Sequence, residues 1–330
     1  MKIIAYGVRI DEVKYLDDWA KETGNTVEQH TDYLNENTVE WAKGFDGINV
    51  LQTTPYSAAM FEKLNEYGIK YIALRNVGTD NVDLDAAKKA GVRISNVPAY
   101  SPTAIAEFSL TMALHLLRNV GYVQNDLKND DFAGASTHIG RELGQSVVGV
   151  IGTGRIGQAA VKMFNGFGAK VLAYDPYPAK NTDLDMTYVS LDELLSQADV
   201  IDLHVPGIPA NDHIIDARAF DLMKPGVVIL NTARGNLIDT NALLANLKSG
   251  KLAGAGIDTY EYETEDLLKF ADHGNFNDPI WDELLAMPNV VLSPHIAYYT
   301  ETAVHNMVYF SMANLVSFIE KGEAETEVKF

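Results

Sequence analysis

Side chains that could perform acid–base and anion-binding chemistry follow the apolar runs in the second half of the chain. Several runs, such as VVILN at 227–231, end just before a residue that is charged or titratable. These residues are Asp175, His204, Arg234, Asp258 with Glu263 close behind it, and His295. If the runs are parallel strands of one sheet, the side chains meet at its carboxyl edge, where such sheets bind ligands. An acid, a base and a guanidinium there predict a reaction on a substrate with a carboxylate, which the arginine fork matches in a bidentate way.

Each of these residues also has a structural interpretation. A single histidine at a strand end is more often structural or solvent-facing than catalytic. Arg234 could pair with a nearby carboxylate and hold a loop. Glu263 lies in the acidic stretch EYETED, and acidic runs are usually solvated faces. The arrival of several such groups at one predicted sheet edge favours the chemical interpretation.

A glycine pattern precedes these residues and predicts a dinucleotide. The stretch VVGVIGTGRIGQAA places Gly152, Gly154 and Gly157 in G-x-G-x-x-G spacing, after an apolar run and at the start of a helical stretch. The first glycine permits a tight turn, the second lets the backbone approach a pyrophosphate, and the third packs helix on strand. The next apolar run, AKVLAYD, ends in Asp175, which would bind ribose hydroxyls and repel a 2′-phosphate. We therefore predict NAD(H) rather than NADP(H).

The elements that must position these groups alternate between apolar runs and amphipathic stretches, which predicts an α/β fold. Four strands are predicted in the first hundred residues, namely KIIAYGV, GINVLQTT, KYIALRNVG and VRISNVPAY. Six are predicted later, namely QSVVGVIG, AKVLAYD, ADVIDLHVP, GVVILNTARG, LAGAGIDTYE and NVVLSPHIA. We expect two Rossmann-like or flavodoxin-like domains with parallel sheets.

Two long helical stretches set the predicted domain boundaries. The mostly apolar stretch at 101–120 has Pro102 at its first helical position and predicts a buried helix. The last helical stretch, at 300–322, has no strand after it, so we expect it to return to the first domain. The predicted substrate domain is therefore discontinuous, residues 1–99 with 300–330, and residues 100–299 form the predicted NAD-binding domain.

Composition excludes several classes of protein. The 330 residues carry a formal net charge of −19, which would repel nucleic acid. The absence of cysteine excludes disulfides and thiolate chemistry and is compatible with a reducing compartment. The first residues are too short an apolar run for a secretory signal, and nothing later approaches a membrane span. We expect a soluble, cytoplasmic protein without a bound metal, since no two histidines stand at the spacing of helical metal ligands.

The order of five motifs resembles the D-specific 2-hydroxyacid dehydrogenase family along the whole chain. These motifs are GTGRIGQ, LHVPG, NTARGNLID, DTYEYE and SPHIAYYT. In the first domain, RNVGTDN and NVPAYSPTAIAE are similar to the D-lactate dehydrogenase branch. Within it, LQTTPY, NVPAYSP and ETEDLL look closest to the D-2-hydroxyisocaproate dehydrogenases of lactic acid bacteria.

The resemblance implies roles for individual residues. Arg234 would bind the carboxylate and polarise the carbonyl, His295 would be the acid/base, and Glu263 its partner. The implied cofactor contacts, with the glycine pattern and the strand-end histidine included, are Gly152, Thr153, Gly154, Arg155, Ile156, Gly157, Asp175, His204, Val205, Pro206, Thr232 and Asp258. The implied substrate contacts are Leu51, Val77, Gly78, Tyr100 and Tyr298. The resemblance also implies a homodimer formed through the NAD-binding domains.

One residue departs from the pattern of the best-known D-lactate enzymes and bears on the substrate. Where they carry a tyrosine facing the pyruvate methyl group, this sequence has Leu51, which indicates a roomier apolar pocket. We therefore expect 2-oxoisocaproate, phenylpyruvate and similar bulky 2-oxo acids to be reduced, with a D-lactate dehydrogenase acting on pyruvate as the alternative. A nucleotide-sensing corepressor with the same fold and a metal-dependent hydrolase are the other classes considered.

Overall fold

The computed structural model describes residues 1–179, 182–263 and 278–329. The chain divides into two compact units, the first made of Met1–Ser101 with Tyr299–Phe330 and the second of Pro102–Tyr298. Each unit contains one sheet, and all pairings between the strands named below are parallel. The predicted α/β class with two parallel sheets is confirmed. Among the described residues, no helix combines the length and the apolar character that crossing a membrane requires.

From the amino terminus the elements are β1 Lys2–Tyr6, α1 Ile10–Thr23, β2 Thr26–Gln29, β3 Gly47–Val50, α2 Ala58–Glu66, β4 Tyr71–Leu74, α3 Leu84–Lys89 and β5 Arg93–Ser95. They continue with α4 Pro102–Leu117, α5 Val120–Lys128, α6 Phe132–Ala135, β6 Val147–Ile151, α7 Arg155–Gly166, β7 Lys170–Tyr174, β8 Thr187–Tyr188, α8 Leu191–Gln197 and β9 Val200–Leu203. The remaining elements are α9 Ala217–Leu222, β10 Val227–Asn231, α10 Thr240–Lys248, β11 Leu252–Ile257, α11 Pro279–Ala286, β12 Val290–Leu292 and α12 Glu301–Lys321.

The sheet of the first unit has the order β2-β1-β3-β4-β5. Successive side chains of a strand point to opposite faces, and β1 shows this directly. Ile3 packs in one apolar cluster with Met312 of α12, whereas Ile4 packs in another with Met60 of α2. Helix α12 therefore covers one face of this sheet, although it follows the second unit in sequence.

The sheet of the second unit has the order β12-β11-β10-β9-β6-β7-β8. The chain adds strands in one direction from β6 to β8 and in the other from β9 to β12, so the order reverses between β6 and β9. Doubly wound sheets bind ligands beyond the carboxyl ends of the strands at such a point. The glycine pattern lies there, because β6 ends at Ile151 and α7 begins at Arg155.

Helix α4 is shorter than the sequence predicts. Its buried face packs on α7, β10 and β11 within the second unit. The prediction extended the helix to Val120, but it ends at Leu117. Asn119 has a φ of 53°, in the left-handed region that interrupts a helix, and α5 begins immediately after it.

Candidate active site

The glycine loop between β6 and α7 has one crowded side and one open side. A Cβ atom on Gly157 would lie 1.9 Å from the carbonyl oxygen of Gly152, so this close helix–strand contact requires glycine. A Cβ atom on Gly154 would meet nothing within 4 Å. The open backbone lies at the N-terminus of α7, where the first N–H groups of a helix lack partners and attract phosphate. The loop therefore fits the pyrophosphate of a dinucleotide.

Asp175 lies directly after β7 and is held against the glycine loop. Its Oδ2 accepts hydrogen bonds from the backbone N–H and the hydroxyl of Thr153, at 2.7 and 3.0 Å. Its Oδ1 accepts from the backbone N–H of Tyr177 at 2.8 Å. The carboxylate is thus fixed next to the loop, where it fits the hydroxyls of an adenosine ribose and disfavours a 2′-phosphate.

His204 follows β9 and is buried beneath the glycine loop. Its Nε2 lies 2.8 Å from Oδ2 of the fully buried Asp202, whose other oxygen accepts from the hydroxyl of Ser109 on α4 at 2.6 Å. Among the described residues, Nδ1 of His204 and the buried hydroxyl of Thr232 have no hydrogen-bond partner. Sequence reasoning identified His204 but not Asp202 or Ser109, because a buried acid inside an apolar strand has no distinctive local pattern.

Arg234 stands at the turn after β10, and its backbone is fixed by the strand's last residue. The side-chain amide of Asn231 donates to the carbonyl of Arg234 at 2.8 Å and accepts from the N–H of Ala233 at 3.1 Å. A Cβ atom on Gly235 would lie 2.2 Å from the carbonyl oxygen of Tyr260, so this turn passes very close to the segment that leads to Glu263. The guanidinium is partly buried, and its Nη1 donates to the Ala233 carbonyl at 2.7 Å.

His295 and Glu263 form a direct pair within the second unit. His295 Nδ1 lies 2.8 Å from Glu263 Oε1, and Glu263 Oε2 accepts from the backbone N–H of Tyr260 at 3.1 Å. Burial lowers the pKa of His295, but the hydrogen bond and negative charge of Glu263, together with the charge of Asp258, raise it above its ordinary value. Glu263 therefore favours the imidazolium, and its side chain is only 21% exposed, unlike that of a solvated acidic run.

Asp258 holds the loop that carries His295. His295 has a φ of 56°, in the left-handed region. The Asp258 carboxylate accepts hydrogen bonds from the N–H groups of Ile296 and Ala297, both at 2.9 Å, and from the hydroxyl of Ser293 at 2.5 Å. Burial raises the pKa of Asp258 despite these hydrogen bonds. The sequence assigns Asp258 to the cofactor, and the structure gives it this additional positioning role.

A second histidine–carboxylate pair contains Glu261, which lies close to Glu263 in the sequence, and this pair was missed from the sequence. His213 Nε2 lies 2.7 Å from Glu261 Oε1, and Glu261 Oε2 accepts from the N–H of Thr240 at 3.0 Å. The pair joins the segment after Arg234 to the segment that carries Glu263. Glu261 lies in the acidic stretch EYETED considered above. The sequence does not indicate which acids of that stretch form pairs inside the fold.

The structure brings together some of the predicted site residues within each unit. The second unit contains the predicted catalytic and cofactor residues at the carboxyl ends of its strands, and it includes Tyr298. In the first unit, Leu51 follows β3, Val77 and Gly78 follow β4, and Tyr100 follows β5, so these residues lie at the corresponding edge of the other sheet. The part of the ETEDLL motif after Glu263 lies outside the described residues.

Comparison with known proteins places the chain in a family. The family "D-isomer specific 2-hydroxyacid dehydrogenase, NAD binding domain" matches residues 110–297. A D-2-hydroxyacid dehydrogenase (NAD+) of Lacticaseibacillus paracasei is 69% identical over 328 residues, which is 99% of this chain and 98% of that protein. A D-lactate dehydrogenase of Lactiplantibacillus plantarum is 50% identical over 332 residues, all of both chains.

A solved structure gives the same result. The structure of a D-2-hydroxyisocaproate dehydrogenase superimposes with a TM-score of 0.96, is 69% identical, and is matched over 99% of both chains. Identity at this level over nearly the full length supports the enzyme class against the corepressor and hydrolase interpretations. The chain belongs to the D-isomer specific 2-hydroxyacid dehydrogenase family, and it is an NAD-dependent oxidoreductase that acts on the CH–OH group of D-2-hydroxy acids.

Proposed function

We propose that this enzyme reduces 2-oxo acids with branched or aromatic side chains, such as 2-oxoisocaproate and phenylpyruvate, to D-2-hydroxy acids. When bound, NADH supplies the hydride for the 2-oxo carbon. The observation that carries the proposal is the 2.8 Å contact between His295 Nδ1 and Glu263 Oε1. This contact leaves Nε2 of the imidazolium to donate a proton to the carbonyl oxygen of the substrate.

The charge of each catalytic group suits this reduction. The raised pKa of His295 keeps its imidazole protonated to higher pH than an isolated histidine, so a proton donor is available near neutrality. Arg234 is permanently charged and would bind the carboxylate, and its charge would oppose the negative charge that grows on the carbonyl oxygen. Asn231 and Asp258 act through the backbone, because they hold the turns that carry Arg234 and His295.

The preference for a bulky substrate rests on Leu51 and on the similar proteins. Leu51 is a partly buried apolar residue at the carboxyl end of β3, and we propose that its side chain contacts the substrate's side chain. A 69% identical structure is that of a D-2-hydroxyisocaproate dehydrogenase. The alternative is reduction mainly of pyruvate, which the 50% identical D-lactate dehydrogenase favours.

The test is the reduction of 2-oxoisocaproate by NADH, with the configuration of the product determined by chiral chromatography. We expect the D product, and we expect His295→Gln to remove most of the activity at every pH. Formation of the L product, or a His295→Gln variant of normal activity, would contradict the proposed function.

We also propose that two copies of the chain pair through their NAD-binding domains. Three large apolar side chains in and after α5 and α6 are exposed, Leu127 at 41%, Phe132 at 69% and Ile139 at 91%. A second copy would cover this apolar surface. Light scattering should give twice the chain mass for the parent protein and a lower mass for the double variant Phe132→Asp, Ile139→Asp. A monomeric parent protein would contradict the pairing.

A further inference from the structure

The loop after β4 presents two backbone N–H groups that the described chain does not use. Within the described residues, the N–H groups of Val77 and Gly78 have no hydrogen-bond acceptor, and Val77 is 36% exposed. The family resemblance implies that Val77 and Gly78 contact the substrate, and the carboxylate of the proposed 2-oxo acid is an acceptor that these two N–H groups fit. Their direction therefore decides how well that carboxylate is held.

The directions of both N–H groups are fixed by hydrogen bonds to the carbonyl oxygens of the same peptide groups. In a trans peptide the C=O of one residue points away from the N–H of the next, and the described chain contains no cis peptide. The carbonyl of Asn76 accepts from the backbone N–H of Val97 at 3.0 Å, which sets the direction of the Val77 N–H. The carbonyl of Val77 accepts from Nδ2 of Asn96 at 2.7 Å, which sets the direction of the Gly78 N–H.

Asn96 is itself held by the last segment of the chain. Its carbonyl accepts from the Thr326 hydroxyl at 2.5 Å and from Nδ2 of Asn314 on α12 at 3.3 Å, and its N–H donates to the Thr326 carbonyl at 3.3 Å. These bonds involve the backbone of Asn96, so its side-chain amide is free to donate to Val77. They also survive when the side chain is replaced.

A buried ion pair holds the other end of the same loop. Arg75 directly follows β4 and is fully buried. Its Nε lies 2.9 Å from Oε1 of Glu12, which is equally buried. Nη1 of Arg75 donates to Asn49 at 2.8 Å, and Nη2 donates to the carbonyls of Tyr6 and Gly7, both at 3.0 Å. The loop therefore starts from a rigid point, and Asn96 fixes the peptide farther along it.

We propose that Asn96 is a positioning residue for the substrate carboxylate, because its amide orients the Gly78 N–H toward it. The inference rests on the proposed function, which supplies the carboxylate. Dipoles that are oriented before binding require no reorganisation when an anion arrives. The carboxylate keeps its charge throughout the reduction, so this interaction contributes equally to the ground state and the transition state. Its loss should therefore raise KM and leave kcat nearly unchanged.

The experiment compares Asn96→Ala and Asn96→Leu with the parent protein and with Asn165→Ala. The control residue lies in the other unit, and its Nδ2 donates to the carbonyl of Asp185 at 2.9 Å across a similar sequence separation. Asn96→Leu keeps the number and branching of the side-chain heavy atoms and removes the amide group. The measurements are KM and kcat for 2-oxoisocaproate, the inhibition constant of oxamate with NADH bound, the dissociation constant of NADH, and Tm.

We expect KM and the oxamate inhibition constant to rise together about tenfold in both Asn96 variants, because the Gly78 N–H would lose its hydrogen bond to the charged carboxylate. We expect kcat to change by less than about twofold, with NADH binding equal to that of Asn165→Ala. Asn96 variants that lose only Tm, or that match Asn165→Ala in KM and oxamate binding, would overturn the inference. A parent protein that reduces no 2-oxo acid with NADH would instead contradict the proposed function.

Discussion

His295 adopts a backbone conformation that residues with a side chain rarely adopt, and a buried acid maintains it. Its φ of 56° costs free energy, which the surrounding hydrogen bonds must offset. Asp258 supplies them through the N–H groups of Ile296 and Ala297. The strain is therefore local to the residue proposed to exchange a proton, and Glu263 fixes the ring once the backbone is set.

At Arg234, the geometry of the guanidinium should matter as much as its charge. We expect Arg234→Lys to lower kcat/KM for 2-oxo acids by about 30-fold or more, because an ammonium group cannot form the bidentate pair. NADH binding should not change. The matched control is Arg218→Lys, whose exposed pair with Asp192 lies in the same unit and should tolerate the exchange. Near-normal kcat and KM in Arg234→Lys would show that Arg234 is not the carboxylate clamp.

Glu263 should set the alkaline limit of the reaction. The reduction needs protonated His295, so activity falls as pH rises through the pKa of His295. Glu263 raises that pKa, and burial alone would lower it. We therefore expect Glu263→Gln to move the alkaline limb of kcat/KM for 2-oxo acid reduction to lower pH. The pH profile of each protein gives this directly, and an alkaline limb that stays in place would contradict the pairing.

Among the elements, the turn after β10 depends on one glycine. A Cβ atom on Gly235 would lie 2.2 Å from the backbone carbonyl of Tyr260, and backbone cannot move aside as a side chain can. We expect Gly235→Ala to lower Tm and to reduce kcat/KM at least about tenfold, because the turn carries Arg234 and contacts the segment before Glu263.

The control is Gly166→Ala at the last residue of α7, where a Cβ atom would meet nothing within 4 Å. We expect it to be neutral or to stabilise the fold by up to about 1 kcal/mol, since alanine favours a helix over glycine. Thermal unfolding and initial rates of both variants make the comparison. A Gly235→Ala protein with normal Tm and activity would show that the close contact is unimportant.

The sequence predicts the buried strands well, and also the three-residue edge strands β5 and β12, but it misses two other edge strands. β10 is apolar throughout until Asn231, and all its residues are buried, so its pattern is clear. β2, with the sequence TVEQ, and the two-residue β8 lie at sheet edges and were both missed. Both missed strands are short and partly polar, which gives no strong periodic signal.

The same contrast applies to the candidate site. Arg234 and His295 stand directly after strands and could be identified, whereas Asn231, Asn96 and Asp202 act through backbone groups or buried partners. Such contacts depend on the directions of carbonyl and N–H groups in three dimensions, which residue types and spacing do not encode. Sequence reasoning therefore identified the groups proposed to touch the substrate and missed most of those that hold them.

For the whole molecule, the proposed roles divide between the two units. The second unit carries the cofactor loop and the His295–Glu263 pair, and the first carries Leu51 and the N–H groups of Val77 and Gly78. A change in the first unit should therefore alter which 2-oxo acid is preferred without removing the acid/base chemistry. Substrate preference therefore tests the role proposed for the first unit, and the acid/base chemistry tests the role proposed for the second.

The central claim, reduction of bulky 2-oxo acids, is tested most directly by kcat/KM for 2-oxoisocaproate and pyruvate, with NADH, in the parent protein and in Leu51→Tyr. Three additional carbons at about 0.8 kcal/mol each amount to roughly 2.4 kcal/mol, or on the order of 60-fold in favour of 2-oxoisocaproate. We expect that preference in the parent protein, and we expect tyrosine to fill the space and lower activity on 2-oxoisocaproate while pyruvate reduction is kept or improved. A parent protein that prefers pyruvate, or a variant whose preference does not move, would contradict the claim.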